Sequence, residues 1–205
     1  MKTTIARTLA VAALGLALAT GSVSAADKVF GLKPAMPQPA ASDLKPGLAV
    51  TYYFHKFDDT REILDWAKYR EGVPGEPILI LDYFVGDGEV LTIGRTDFVG
   101  ADIRGYMHFP VAGTYTIAMH SNDGVDLKIG GKRVVYDPGV HSDRFSDLVP
   151  VEIAEPGWYP LHLLYFEKQV TSTVELYWLK PGDTGQLDFV PEEAFGHRPG
   201  EHPGS

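Results

Sequence analysis

Apolar and polar residues alternate with a period of two through much of the second half of the chain, in runs too short for helices. Tyr115, Ile117 and Met119 fall on one face of a predicted strand over residues 114–120, with Thr114, Thr116, Ala118 and His120 on the other. The same spacing groups Leu161, Leu163 and Tyr165 within residues 158–166, and Val174, Leu176 and Trp178 within residues 173–179. Period-two apolar sets mark the buried face of a half-buried strand, so these nine are expected in the core. Residues 48–55, 103–109, 125–129, 132–136 and 148–153 are rich in β-branched and aromatic side chains and predict further strands. Turn clusters separate them: Pro110 to Gly113, Ser121-Asn-Asp-Gly124, Gly130-Gly131 and Glu155-Pro-Gly157. One segment has the helical period instead. Asp59-Thr-Arg-Glu62 has the spacing of a capping box, Ile63, Trp66 and Ala67 follow at helical offsets, and Gly72 and Pro74 end the run. Many short strands with one short helix in the N-terminal half predict an all-β fold, an antiparallel β-sandwich.

The two ends break the pattern. Lys2 and Arg7, an apolar run over residues 8–20 and a small-residue stretch ending in Ala25-Ala26 have the three zones of a secretory signal peptide, residues 1–25. The run is shorter than the roughly 20 residues of a transmembrane helix, so no transmembrane segment is expected after cleavage. Residues 26–46 hold Pro34, Pro37, Pro39 and Pro46 and predict an extended Pro/Ala-rich leader. Residues 192–205 lack an apolar period and predict a flexible tail, which puts the folded unit at 47–191.

Composition narrows the chemistry. The 205 residues carry 18 Lys+Arg against 27 Asp+Glu, a net charge of −9, and no cysteine. Loss of residues 1–25 removes two bases and no acid, leaving −11. An acidic chain without a basic run argues against nucleic acid as a partner. Without cysteine there is no disulfide scaffold, thiolate metal site or thiol nucleophile. The sequence holds no His-Glu-x-x-His, no Gly-x-Ser-x-Gly and no phosphate-cradling loop. The paired acids Asp58-Asp59 and the strand histidines His108, His120 and His162 are weak catalytic or metal candidates, so a non-enzymatic protein is expected.

Residues 105–132, Gly-Tyr-Met-His-Phe-Pro-Val-Ala-Gly-Thr-Tyr-Thr-Ile-Ala-Met-His-Ser-Asn-Asp-Gly-Val-Asp-Leu-Lys-Ile-Gly-Gly-Lys, resemble the PA14 domain, the β-sandwich module named after the anthrax toxin protective antigen. A Gly-Tyr strand, a Gly-Thr-Tyr-Thr strand start, an acidic turn ending in Gly-Val and a Gly-Lys hairpin follow one another as in that family. Gly157-Trp-Tyr-Pro-Leu-His-Leu-Leu-Tyr-Phe-Glu with Val174-Glu-Leu-Tyr-Trp178 looks like its closing strand pair, and residues 47–53 fit its first strand. The resemblance implies an exported binding module, periplasmic or secreted. In the lectin branch of that family, adjacent acids at the turn hold a calcium that coordinates sugar hydroxyls. The matching pair is Asn122-Asp123, which makes these two the candidate metal ligands and calcium the one cofactor implied. The chain departs from the family at Lys168, where the lectins offer an amide or small polar residue, at Ile103-Arg104 in place of a Trp, and in its helix.

Candidate binding residues are Asn122, Asp123, Asp137, His141, Asp143 and Trp158. The first five concentrate carboxylates, an amide and an imidazole in two loops, enough to grip a polyol, while a Trp face can stack on a pyranose. The same loops also read as plain turns, with Gly124 supplying a positive φ. The expected partner is a carbohydrate; the alternative is an envelope protein in a structural or secretion assembly.

Overall fold

The computed structural model describes residues 26–200, so the predicted signal peptide and the last five residues lie outside it. Two antiparallel sheets pack face to face. The strands of three or more residues are β1 (Ala49–Phe54), β2 (Asp82–Gly86), β3 (Val99–Phe109), β4 (Gly113–Asn122), β5 (Val125–Ile129), β6 (Lys132–Asp137), β7 (Val149–Ile153), β8 (Gly157–Glu167), β9 (Ser172–Leu179) and β10 (Phe195–His197), with one α-helix, α1 (Arg61–Ala67). In the first sheet the order is β10, β3, β8, β5, β6, with β1 sharing the β10 edge of β3. The second runs β7, β4, β9, with β2 on the outer edge of β9. Arg144–Phe145 extends the β7 side of β4, and Asp188–Phe189 the β2 side of β9.

Register aligns the apolar sets that alternation picked out. Leu163 lies opposite Ile103 and Leu127, and Leu176 opposite Met119, all without exposed surface. Across the gap Phe109 meets Tyr115 at 4.9 Å, and within its own sheet it meets Tyr159 at 5.3 Å, both edge to face. Each such pair contributes about 0.5–1.5 kcal/mol beyond burial, so the aromatic knot fixes how the two sheets sit on each other. All nine residues assigned to the core by period are buried. The Gly130-Gly131 hairpin has φ of +56° and +76°, the two positive values that a tight two-residue turn requires.

A second, smaller core lies on the outer face of the first sheet, where α1 lays Ile63 on Tyr53, Phe57, Leu164 and Phe166. The cap differs from the expected box by one residue. Asp59 Oδ1 accepts the Arg61 N–H at 2.8 Å, and Glu62 reaches back to the N–H of Asp58, not Asp59.

Both end segments pack onto the sandwich. Val29 pairs in parallel with Val151, and Leu32 and Ala35 are buried, with the Lys33 N–H on Gly130 O and the Ala35 N–H on Trp158 O. Residues 195–197, which carry no legible period, form β10: Phe195 enters the core and the strand pairs with Tyr106 and Met107. Gly105 makes room for it, since a Cβ there would stand 2.6 Å from Gly196 O.

Candidate functional site

The chain leaves the second sheet at the end of β4 and enters the first at β5 through Asn122-Asp123-Gly124, whose first peptide bond is cis. Gly124 serves close packing and not a left-handed turn. It is not among the described glycines with positive φ, and an added Cβ would meet Pro138 O at 2.5 Å and the Phe166 ring at 2.6 Å.

Asp123 is 3% exposed. Its Oδ1 accepts the His141 N–H at 3.0 Å and its Oδ2 the Lys168 N–H at 2.9 Å. One carboxylate therefore ties the loop after β6 to the loop after β8. Burial pushes its pKa up against the pull of those two donors. Asn122 Nδ2 donates to Thr171 Oγ1 at 2.6 Å and Asp143 Oδ2 at 3.2 Å, and Asp143 Oδ1 takes the Thr173 hydroxyl. Burial acts to raise the Asp143 pKa, but the donors Thr173 and Asn122 outweigh it and hold the carboxyl below its ordinary range. From beneath, the buried Tyr165 hydroxyl donates to Asn122 O at 2.8 Å.

These bonds hold open a polar pocket of about 360 Å³ walled by Asn122, Asp123, Val140, His141, Ser142, Lys168 to Thr171, and Lys56. Of the residues proposed from sequence, Asn122, Asp123 and His141 line it and Asp143 braces Asn122 behind it. Asp137 turns away. It holds Arg144 through two bonds of 2.8 and 2.6 Å, and its Oδ2 stands 3.3 Å from His141 Nε2. The His141 ring is pinned on its other side, where Nδ1 faces a carbonyl, Ser142 O, at 2.9 Å and so acts as the donor. Trp158 is elsewhere. It is the second residue of β8, nine residues before Glu167, roughly 30 Å away at about 3.3 Å per residue, and packs against His108 at 4.8 Å. Trp66 is stacked on His55, and Trp178 is in the core.

Lys56, Gln169, Val170 and Thr171 escaped sequence reasoning because only the fold brings their loops to the turn. Glu167 escaped as well. It has no exposed surface, and burial followed by repulsion from Asp97 and Asp123 outweighs the pull of the Phe98 backbone and pushes its pKa to about 8.

The donor set does not fit calcium. That ion takes six to eight oxygens. Each Asp123 oxygen accepts one backbone N–H and Asn122 turns its nitrogen to Thr171 and Asp143, so the side chains of the turn offer at most three oxygens, Asn122 Oδ1 and the two of Asp123. Two lysines stand in the wall, Lys168 bonded outward to Asp58. Among the described residues no group of three or more His, Asp or Glu side chains is placed to hold a metal. The strand histidines do not converge either. His108 and His162 belong to the first sheet, His162 on Asp102, while His120 is in the second on Glu175. Asp59 is engaged by Arg61 and Asp58 by Lys168, which leaves that acid pair no free carboxylates.

A family model for the PA14 domain matches residues 44–188. Among solved structures, the PA14 domain of the MpAFP antifreeze protein superposes with a TM-score of 0.65 at 15% identity, covering 80% of this chain and 96% of that one. The PA14 sugar-binding domain from an RTX adhesin gives 0.58 at 13% identity, with 74% and 98% covered. The A domain of epithelial adhesin 9 from Candida glabrata, in complex with Galβ1-4GlcNAc, gives 0.60 at 12% identity, with 81% and 95% covered. At these identities the likeness speaks for the fold alone. No curated protein sequence matches the chain closely enough to count as a relative. Among the described residues no helix is long and apolar enough to cross a membrane.

Proposed function

The chain belongs to the PA14 domain family, and on that premise we propose that it is an exported, non-enzymatic binding module that takes carbohydrate in the pocket at the Asn122-Asp123 turn. The observation that carries this reading is the Asp123 carboxylate, buried and clamping the His141 and Lys168 backbones so that two loops stay parted around 360 Å³ of polar space. A pocket held this way is preorganised, so ligand binding spends little on ordering loops. The wall presents Lys56, Ser142, Gln169 and the Thr171 hydroxyl, whose proton is free because its oxygen already accepts from Asn122. Such convergent donors suit the hydroxyls of a sugar. Support also comes from two structures of the same fold that take sugars, the sugar-binding domain of the RTX adhesin and the galactoside complex. Because the donors do not fit calcium, recognition is read as direct contact with these side chains.

A glycan array probed with the full chain, its Asp123→Ala variant and added chelator tests the reading. Binding that survives chelator and falls at least tenfold in the variant is expected; no binding to any glycan refutes it. A second reading, a protein partner in an envelope assembly, is favoured by one feature. Leu44, Pro46, Leu79, Trp158 and Phe195 line an open, mainly apolar groove of about 520 Å³ at the other end of the sandwich. Capture of a stoichiometric partner that Leu79→Asp abolishes would support it.

A further inference from the structure

The outer face of the second sheet carries aromatic side chains where alternation calls for polar ones. Register brings Phe145, His120 and Glu175 into one row across three strands, with Tyr177 and Phe189 paired in a row beside it and Phe84 on β2 flanking His120. Phe84 and His120 stack at 6.1 Å and 14°, His120 and Phe145 at 4.5 Å and 15°, and Tyr177 and Phe189 at 4.5 Å and 27°, with Phe145 joining the two groups at 5.5 Å from Tyr177. The run is fixed from below: the half-buried His120 meets Glu175 at 2.7 Å through Nδ1, and the Tyr177 hydroxyl donates to the same carboxylate oxygen at 3.0 Å. Phe84, Phe145 and Phe189 nonetheless remain 67%, 55% and 39% exposed.

We propose that this strip is a second binding site, taking an extended, uncharged polysaccharide laid across the sheet. Pyranose rings present apolar C–H faces that pack on aromatic surface, and rings already held by stacking lose little freedom when covered. The strip crosses four strand positions, from Phe145 at one edge to Phe189 and Phe84 at the other, about 14 Å at the ~4.8 Å strand spacing. That length asks for several sugar rings in a row and not for a single residue in a pocket. A second copy of the chain fits less well. The three phenylalanines expose about 300 Å² together if each full side chain counts for about 200 Å², well short of the roughly 800 Å² per partner of a stable interface. Glu175 is occupied by His120 and Tyr177, and the exposed Asp82 opposite it on β2 adds a second negative charge to the row, which works against an acidic ligand.

The test is depletion of the full chain from solution by microcrystalline cellulose and by chitin, beside Phe84→Ala/Phe145→Ala/Phe189→Ala and beside Asp123→Ala. Retention on at least one polymer, lost at least tenfold in the triple variant and kept in Asp123→Ala, is expected, which separates this strip from the loop pocket. Thermal melts accompany each variant; should the triple variant not fold, Phe84→Ala is read alone and should lower retention several-fold. The proposal is overturned by no retention on either polymer, by retention that the ring variants leave unchanged, or by equal loss in Asp123→Ala. It is overturned too if sedimentation shows a wild-type dimer that the ring variants dissociate, which would make the face an interface between copies.

Discussion

Replacing Glu167 by Gln should stabilise the protein, and by an amount that pH controls. Glu167 has no exposed surface, and burial with repulsion from Asp97 and Asp123 outweighs the pull of the Phe98 backbone and raises its pKa from an ordinary 4.5 to about 8. The unfolded chain ionises this carboxyl above pH 4.5, whereas the folded chain keeps it protonated until pH 8. Folding therefore takes up a proton between those values, and stability is fully present below pH 4.5 and lost as pH rises through 8. At about 1.4 kcal/mol per pH unit the loss is roughly 3 kcal/mol at pH 7 and approaches roughly 5 kcal/mol above pH 8. Gln fills nearly the same volume and never ionises, and its amide can donate toward Asp97 and Asp123, the carboxylates that repel the glutamate. Denaturant unfolding of both proteins at half-unit intervals from pH 4 to 9 should give curves that nearly coincide at pH 4. They should diverge in favour of Glu167→Gln by about 3–5 kcal/mol at pH 8. Other titrating groups cancel in the difference as long as they do not touch position 167. A difference that is constant with pH, or a variant less stable at pH 8, would refute the assignment of a neutral buried acid.

Other substitutions address other parts of the molecule. Asp123→Ala should cost about 1–3 kcal/mol by leaving two part-buried backbone donors without their acceptor, and hydrogen exchange should quicken at the amides of His141 and Lys168. Phe195→Ala should cost about 3–4 kcal/mol in thermal or denaturant unfolding, because that ring is 3% exposed; a surface-like cost below about 0.5 kcal/mol would mean that β10 adds nothing. Asp102 is buried, which acts to raise its pKa, but His162 and Arg104 outweigh this and hold it low. Its contribution should be present above pH 4 and lost as pH falls through that lowered pKa. Asp102→Asn should accordingly lower stability by about 1.5–3 kcal/mol at pH 7 and by progressively less below pH 4 in acid titration.

Much of the sandwich was legible because burial on one face of a strand writes itself as period two. Tyr115, Ile117, Met119, Leu161, Leu163, Tyr165, Val174, Leu176 and Trp178 needed no partner to be recognised. β10 was not legible, since its Phe195 is one apolar residue among Gly, His and Arg and only the groove over Gly105 gives it a place. At the site, the turn Asn122-Asp123-Gly124 stood out as a motif, but its role did not. Gly124 reads as a turn former and acts as a gap-filler against Pro138 and Phe166. Trp158 reads like a sugar-stacking residue for the same pocket, yet one strand length separates it from the turn, a distance that sequence proximity to other motifs cannot reveal.

The sequence by itself determined the class of fold, the core faces, the absence of thiol chemistry and the acidic balance, because each depends on residue type or on local period. Tertiary structure decided which polar groups meet. Asp123 clamping His141 and Lys168, Asn122 spending its nitrogen on Asp143 and Thr171, and the ring strip from Phe84 to Phe189 all join residues tens of positions apart. Hydrogen bonds and ring contacts act over a few ångströms, so only the pairing of distant strands and loops could select them.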